Sequence, residues 1–176
     1  RQREMLGLGH AILTGEALIG NHSFAVLLAD DLCDSKEISV LSQMIEIYNK
    51  FQCSIIAIKE VPWRDTNKYG IITGELIANS DSIYQVTNMI EKPKVNDAPS
   101  NLAIIGRYIL TPDIFDILKK IKPDSNNELQ ITDALMVQAK KGKVLAYKFK
   151  GNRFDCGSVK GFVVATNYFA KAEGLI

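Results

Sequence analysis

Two aspartates, Asp30 and Asp155, have the residue type and the placement that chemistry would need. Asp30 follows the apolar run Phe24 to Ala29. In open α/β sheets, ligands bind outside the C-terminal ends of the strands. A carboxylate there suits a hard cation such as Mg²⁺, which takes oxygen ligands and shares them with substrate phosphates. An aspartate at that point also serves as a cap for the following loop, and position alone leaves both roles open. Asp31, the next residue, is expected to point elsewhere. Asp155 stands in the segment Phe154-Asp155-Cys156-Gly157, before the final helix. Turn or N-cap duty is the ordinary role of an aspartate there. A metal role depends on a partnership with Asp30 that spacing does not reveal.

Weaker signals lie elsewhere. Glu91-Lys92-Pro93-Lys94 ends a strand, because Pro93 has no N–H and restrains the residue before it. Strand alternation predicts Glu91 and Lys92 on opposite faces. The carboxylate suits sugar hydroxyls and the ammonium suits a phosphate as a point charge. A solvated charge pair at a strand end is the plainer alternative. Gln2 to His10, with Gly7 and Gly9, offers backbone N–H groups at a helix start to an anion or a base edge. His10 itself reads more simply as a structural hydrogen-bonding residue than as a catalyst. The stretch Glu128 to Ala134 reads as helix capping and packing.

An α/β fold is needed to position these groups. Helix is expected from Ala11 to Ile19. The run Phe24 to Ala29 reads as a central parallel strand buried on both faces. Ile38, Leu41, Met44, Ile45 and Tyr48 mark one face of a helix ending at Phe51. Ser54 to Ile58 is the next strand, so a parallel crossover is expected. Three strands follow with little helix between them, Tyr69 to Thr73, Ile83 to Ile90 and Leu102 to Leu110, punctuated by Gly70, Gly74, Pro93 and Pro99. Helices are expected at Pro112 to Lys120, with Thr111 as hydroxyl cap, and at about Leu129 to Lys140. Val144 to Phe149 reads as a strand and Val159 to Ala172 as the last helix. The expected architecture is Rossmann-like: a mostly parallel sheet flanked by helices, carrying an antiparallel or mixed β insertion.

Composition narrows the possible functions. The 176 residues are 47% hydrophobic and 23% charged, which suits one domain with a real core. With 21 basic and 20 acidic residues, the net charge is +1. Such balance supplies no field for nucleic acid or an anionic membrane. No apolar run reaches the roughly 18 residues of a membrane span. Cys33, Cys53 and Cys156 fit neither a zinc site nor a disulfide framework, and a cytoplasmic location with reduced thiols is expected. The chain opens Arg1-Gln2-Arg3-Glu4 and enters a Gly-rich stretch at once, so it is expected to be part of a larger protein.

Taken in order, the motifs resemble a known family. RQ…GLGHAIL at 1–13, AVLLADD at 25–31, KYGII at 68–72 and MIEKPK at 89–94 come first. APSNLAIIGRYIL at 98–110, NELQITDAL at 127–135 and FDCGSVKGF at 154–162 complete the set. Together they are similar to the bacterial UTP–glucose-1-phosphate uridylyltransferases, a branch of the sugar-1-phosphate nucleotidyltransferases. Thymidylyl and cytidylyl relatives share the fold and the EKP element but usually differ in the other stretches. The resemblance implies Gln2 and Gly7 at the uracil, Asp30 and Asp155 on Mg²⁺, and Gly70 against the glucose ring. It implies Glu91 on sugar hydroxyls and Lys92 at the phosphate. Ala29 departs from the Pro or Gly often found there.

The implied reaction joins UTP and glucose 1-phosphate into UDP-glucose and pyrophosphate. The family's loop of form G-x-G-T-R, followed by a P-K-E stretch, is not in this sequence and is expected upstream of Arg1. The expected layout is therefore a single domain. Residues 1–60 would close the nucleotide-binding half, and 61–176 would form the sugar-binding half and C-terminal helices. On its own the chain is expected to be inactive. Its exposed sheet edge and apolar surface predict a homo-oligomer. A related dTDP- or CDP-sugar enzyme, or a non-catalytic nucleotide-sugar binding domain, is the alternative.

Overall fold

Side-chain alternation along β-rich segments fixes the two faces of the central sheet. The computed structural model describes residues 2–176; Arg1, which opens the RQ stretch, lies outside them. The six-stranded sheet comprises β1 (Phe24–Leu27), β3 (Ser54–Glu60), β4 (Gly70–Leu76), β5 (Ile83–Glu91), β6 (Leu102–Leu110) and β7 (Val144–Lys148). Its order is β1-β6-β3-β7-β5-β4. In β3, Ile56 and Ile58 face one way, and Ile55 and Ala57 the other. The first face packs under α1 (Gly7–Leu13), α4 (Asp113–Leu118) and α5 (Ile131–Ala139), through Ile12, Ile114, Phe115, Leu118 and Leu135. The second is covered by α3 (Val40–Phe51) through Val40, Met44 and Ile47.

The fold is α/β, as expected, and the sheet is mixed. β1, β3, β4 and β7 run one way and β5 and β6 the other. Only β3 and β7 are adjacent and parallel. β1 and β3 are co-directional, as the strand–helix–strand reading required, but β6 lies between them. β1 is therefore an edge strand, not a central one. Phe24 and Val26 face the core, with Phe24 stacked on Phe115 at 5.1 Å, while Leu27 is 50% exposed. Its apolar run misled because an edge strand with one covered face can still be apolar throughout.

Helix limits follow local chemistry. The single helix expected at 11–19 is two, α1 and α2 (Glu16–Ile19). They part where the Thr14 hydroxyl donates to the Ala11 carbonyl at 2.7 Å and Gly15 follows. Ser39 caps α3 by accepting from Ser42 N–H at 3.1 Å. At α4 the expected Thr111 hydroxyl cap is absent. The carbonyl of Thr111 accepts from Ile114 N–H, while its hydroxyl donates to Asp113 Oδ1 at 2.6 Å. α6 (Val159–Ala172) has the expected limits, with Ser158 accepting from Gly161 N–H. Among the described residues, no helix is long and apolar enough to cross a membrane.

Candidate active site

A second, two-stranded sheet that the sequence reading missed brings Asp30 to Asp155. After β1 the chain turns at Ala29 and Asp30, then enters β2 (Asp31–Asp34). β2 pairs antiparallel with β8 (Asn152–Asp155), setting Asp31 opposite Asp155. The Asp30 carbonyl accepts from Cys156 N–H at 2.7 Å. The two carboxylates converge on Gly157. A Cβ built there would lie 3.2 Å from Asp155 Oδ1 and 3.4 Å from Asp30 Oδ2. Glycine thus leaves open the space that both oxygens face. Among the described residues, no group of three or more His, Cys, Asp and Glu side chains converges. Two carboxylates fit Mg²⁺, which keeps several waters and takes substrate phosphate oxygens beside one or two protein ligands.

Asp155 is held by named partners. Its Oδ2 accepts from the Tyr69 hydroxyl at 2.7 Å and lies 3.3 Å from Arg153 Nη2, while Oδ1 accepts from Gly157 N–H at 3.1 Å. Burial alone would push this carboxyl up. The Tyr69 bond, the Arg153 charge and the Gly157 N–H together outweigh burial and hold it below the usual carboxylate range. Asp31 points the other way, as expected. It is buried, takes both Nε and Nη2 of Arg153 at 2.7 and 3.0 Å, and accepts from Gly106 N–H. Burial disfavours the Arg153 charge, but the Asp31 bonds more than compensate and raise its pKa further. Arg153 also donates to the Tyr69 hydroxyl at 3.1 Å and packs its guanidinium 4.9 Å from the Tyr69 ring centre.

Tyr69 joins this carboxylate pair to a cleft of about 270 Å³, also lined by Gly70, Glu91 and Lys92. β4 and β5 set Gly70 opposite Glu91, and β4 also meets β6 at Ile71 and Ala103. Gly70 is crowded: a Cβ there would meet Thr132 Cγ2 at 2.9 Å, Glu91 Oε2 at 3.1 Å and Ile104 Cδ1 at 3.1 Å. Glu91 Oε2 accepts from the Thr132 hydroxyl at 3.2 Å. Burial raises the Glu91 pKa, against the Lys92 charge and the Thr132 bond. Lys92 corrects the expected alternation. Its φ of 42° ends strand geometry, so its Nζ returns to within 3.8 Å of Glu91 Oε1 and both side chains serve one cleft.

Gln2 and Gly7 meet each other, with Gln2 Nε2 donating to Gly7 O at 3.2 Å and to His10 Nδ1 at 3.1 Å. His10 is in a structural hydrogen bond. Gly7 has φ of 87°, and a Cβ there would lie 2.9 Å from Leu129 O. Its neighbour Leu8 lines the cleft. Sequence reasoning missed Tyr69, Tyr108, Gln130, Thr132 and Arg153. Glu128 to Ala134 does start a helix, but Gln130, Ile131 and Thr132 at that start also line the cleft. A tyrosine immediately before the singled-out Gly70 was the one local signal available.

The Nucleotidyl transferase family model matches residues 1–172. UTP–glucose-1-phosphate uridylyltransferase of Pseudomonas aeruginosa is 64% identical over 96% of this chain and 60% of its own length. The enzyme of that name from Staphylococcus epidermidis is 46% identical over 97% of this chain and 58% of its own. The crystal structure of a UDP-glucose pyrophosphorylase complexed with UDP-glucose superposes with a TM-score of 0.93 at 60% identity, covering 98% of this chain and 65% of that one. This chain thus spans about 60% of the length of the curated relatives it matches. The resemblance read from its motifs is borne out, and the chain belongs to the nucleotidyl transferase family.

Proposed function

We propose that this chain carries the metal-binding and sugar-phosphate-binding part of an enzyme that makes UDP-glucose from UTP and glucose 1-phosphate. The observation that carries the reading is the meeting of Asp30 and Asp155 at Gly157, one residue, Tyr69, away from the cleft of Gly70, Glu91 and Lys92. Relatives bearing that enzyme name, and a close structural neighbour holding UDP-glucose, support it.

In this reading a phosphate oxygen of glucose 1-phosphate attacks the α-phosphorus of UTP in line. The bond from that phosphorus to the bridging oxygen breaks, and pyrophosphate leaves. Asp30 and Asp155 would hold Mg²⁺, which offsets charge on the phosphates when bound. Lys92 presents its ammonium to the sugar phosphate, and Glu91 accepts from sugar hydroxyls. Gly70 lets the ring approach the backbone, at a position where a Cβ would already crowd Thr132, Glu91 and Ile104. Gln2 and Gly7 meet the uracil edge. The work is positioning and charge neutralisation, and no covalent intermediate is needed.

We read residues 1–60 and 61–176 as parts of one domain, supported by β1 and β3 sharing a sheet with β4 to β7. A cytoplasmic setting is supported by three free thiols. Self-association is supported by exposed Val159, Phe162, Val163 and Val164 on α6, and light scattering after size exclusion reads it directly.

The test is pyrophosphate release by the full-length protein with glucose 1-phosphate and UTP, dTTP or CTP. A clear preference for UTP is expected, and equal turnover of dTTP or CTP would move the protein to another branch. A binding-only role is the second reading for these residues. Calorimetry with UDP-glucose, with and without Mg²⁺, beside an activity assay of the chain alone separates binding from catalysis. Little or no synthesis by the chain alone is expected.

A further inference from the structure

We propose that Tyr69 is a positioning residue that makes Asp155 a one-oxygen metal ligand and so biases the site toward small, octahedral cations over Ca²⁺. This rests on the proposed metal role of Asp30 and Asp155. The two oxygens of Asp155 have different surroundings. Oδ2 is committed: it accepts from the Tyr69 hydroxyl at 2.7 Å and faces Arg153 Nη2 at 3.3 Å. Oδ1 accepts only from Gly157 N–H, at 3.1 Å, and keeps a lone pair beside the space over Gly157 that Asp30 Oδ2 also faces. A cation between the two carboxylates therefore meets Oδ1 of Asp155, with Oδ2 turned away.

Tyr69 is itself fixed. Arg153 donates to its hydroxyl at 3.1 Å and stacks on its ring, and Asp31 anchors that guanidinium through two bonds. On the other side, the Tyr69 carbonyl accepts from Lys92 N–H at 3.0 Å. The hydroxyl has one proton, and accepting from Arg153 leaves that proton for Asp155. Ligating carboxylates are oriented by such outer hydrogen bonds, and losing one typically costs about 10–100-fold in metal affinity. Ca²⁺ readily takes both oxygens of one carboxylate at flexible geometry, whereas Mg²⁺ demands near-ideal octahedral geometry. Holding Oδ2 elsewhere penalises the first mode and leaves the second intact.

Tyr69→Phe removes the hydroxyl and keeps the ring on Arg153. In the full-length protein with UDP-glucose bound, Mn²⁺ binding is read by electron paramagnetic resonance, and Mg²⁺ and Ca²⁺ by their competition with Mn²⁺. The expected result is a fall of about 10-fold or more in Mg²⁺ affinity, with a smaller fall for Ca²⁺. Unchanged affinities, or equal falls for Mg²⁺ and Ca²⁺, would overturn the role of Tyr69 while leaving the metal pair standing. Absence of Mn²⁺ binding in the unaltered protein, or binding that survives Asp30→Asn intact, would instead overturn the metal reading. A crystal structure of the unaltered protein with Mn²⁺ gives a check that needs no variant. Ligation by Oδ1 alone is expected, and chelation by both oxygens of Asp155 would overturn the proposal.

Discussion

Replacing each member of the Asp30-Asp31 dipeptide with Asn separates chemistry from folding in adjacent residues. Asp31 is buried, its side chain 9% exposed, against an Arg153 side chain that is 14% exposed. It accepts two bonds from the guanidinium and one from Gly106 N–H. Asp31→Asn keeps the shape but turns an N–H₂ toward a guanidinium whose remaining anion is the more exposed Asp155. Breaking a buried ion pair at one partner costs about 3–5 kcal/mol. At roughly 2–4 °C per kcal/mol for a chain of this size, the melting temperature should fall by about 6–20 °C. Asp30 is exposed, and its Oδ2 lies beside the space over Gly157. Asp30→Asn should stay within about 0.5 kcal/mol of the parent protein while abolishing Mg²⁺-dependent turnover of the full-length protein. Urea and thermal unfolding, followed by circular dichroism, measure the first effect, and pyrophosphate release measures the second. A loss below about 1 kcal/mol for Asp31→Asn would refute the reading of that pair as an anchor. Near-normal turnover of Asp30→Asn at ordinary Mg²⁺ would refute the metal assignment.

Lys92→Ala should lower kcat/KM for glucose 1-phosphate by about 10- to 100-fold, the worth of a charge-assisted bond of roughly 1.5–3 kcal/mol; steady-state kinetics with that substrate varied read it. Gly70→Ala should raise KM for the sugar phosphate, because its methyl would press on Thr132, Glu91 and Ile104; overpacking of about 1–3 kcal/mol is expected from melting curves. Burial raises the Glu91 pKa above its ordinary 4.5, so ionising it opposes folding. Relative to Glu91→Gln, the parent protein should lose stability as pH rises from that ordinary value through the folded one. Unfolding of both proteins across that window should show the gap opening toward neutral pH, even as Glu91→Gln loses activity.

The α/β class and most elements were legible because their side chains repeat with a clear period. β6 and α6 have the limits read from sequence, and α3 differs only at its start. The site was legible less directly. Read alone, Asp30 and Asp155 each had an ordinary loop explanation, and only the order of motifs along the chain raised them together. What joins them is the β2–β8 ribbon, in which each strand is four residues long and mixes polar with apolar residues. Segments so short carry no periodic signal, and their pairing is a tertiary fact. Lys92 shows the opposite failure. Strand alternation was the right rule for Glu91, but a left-handed residue at the strand end cancels it, and sequence offers no mark for a non-glycine in that conformation. Thr132 and Gln130 were hidden because a helix start looks the same whether it faces solvent or a cleft.

The paired aspartates also show how the fold transmits geometry to the candidate site. The turn before β2 leaves Asp30 at the surface, and Asp31, the first residue of the strand, points inward. The inward one fixes Arg153, a β8 residue, and Arg153 in turn meets both Tyr69 and Asp155. Asp155, at the end of β8, therefore takes its orientation from Tyr69 and the buried pair as well as from the Gly157 turn that follows it. A buried ion pair is a poor device for stability alone, since apolar residues of similar volume often do as well or better. Its presence here is better explained by what it positions. An apolar pair at residues 31 and 153 could fill the same volume, but it would remove the guanidinium that donates to the Tyr69 hydroxyl and lies 3.3 Å from Asp155 Oδ2. On this argument the stability of the ribbon and the geometry of the candidate metal site are one property.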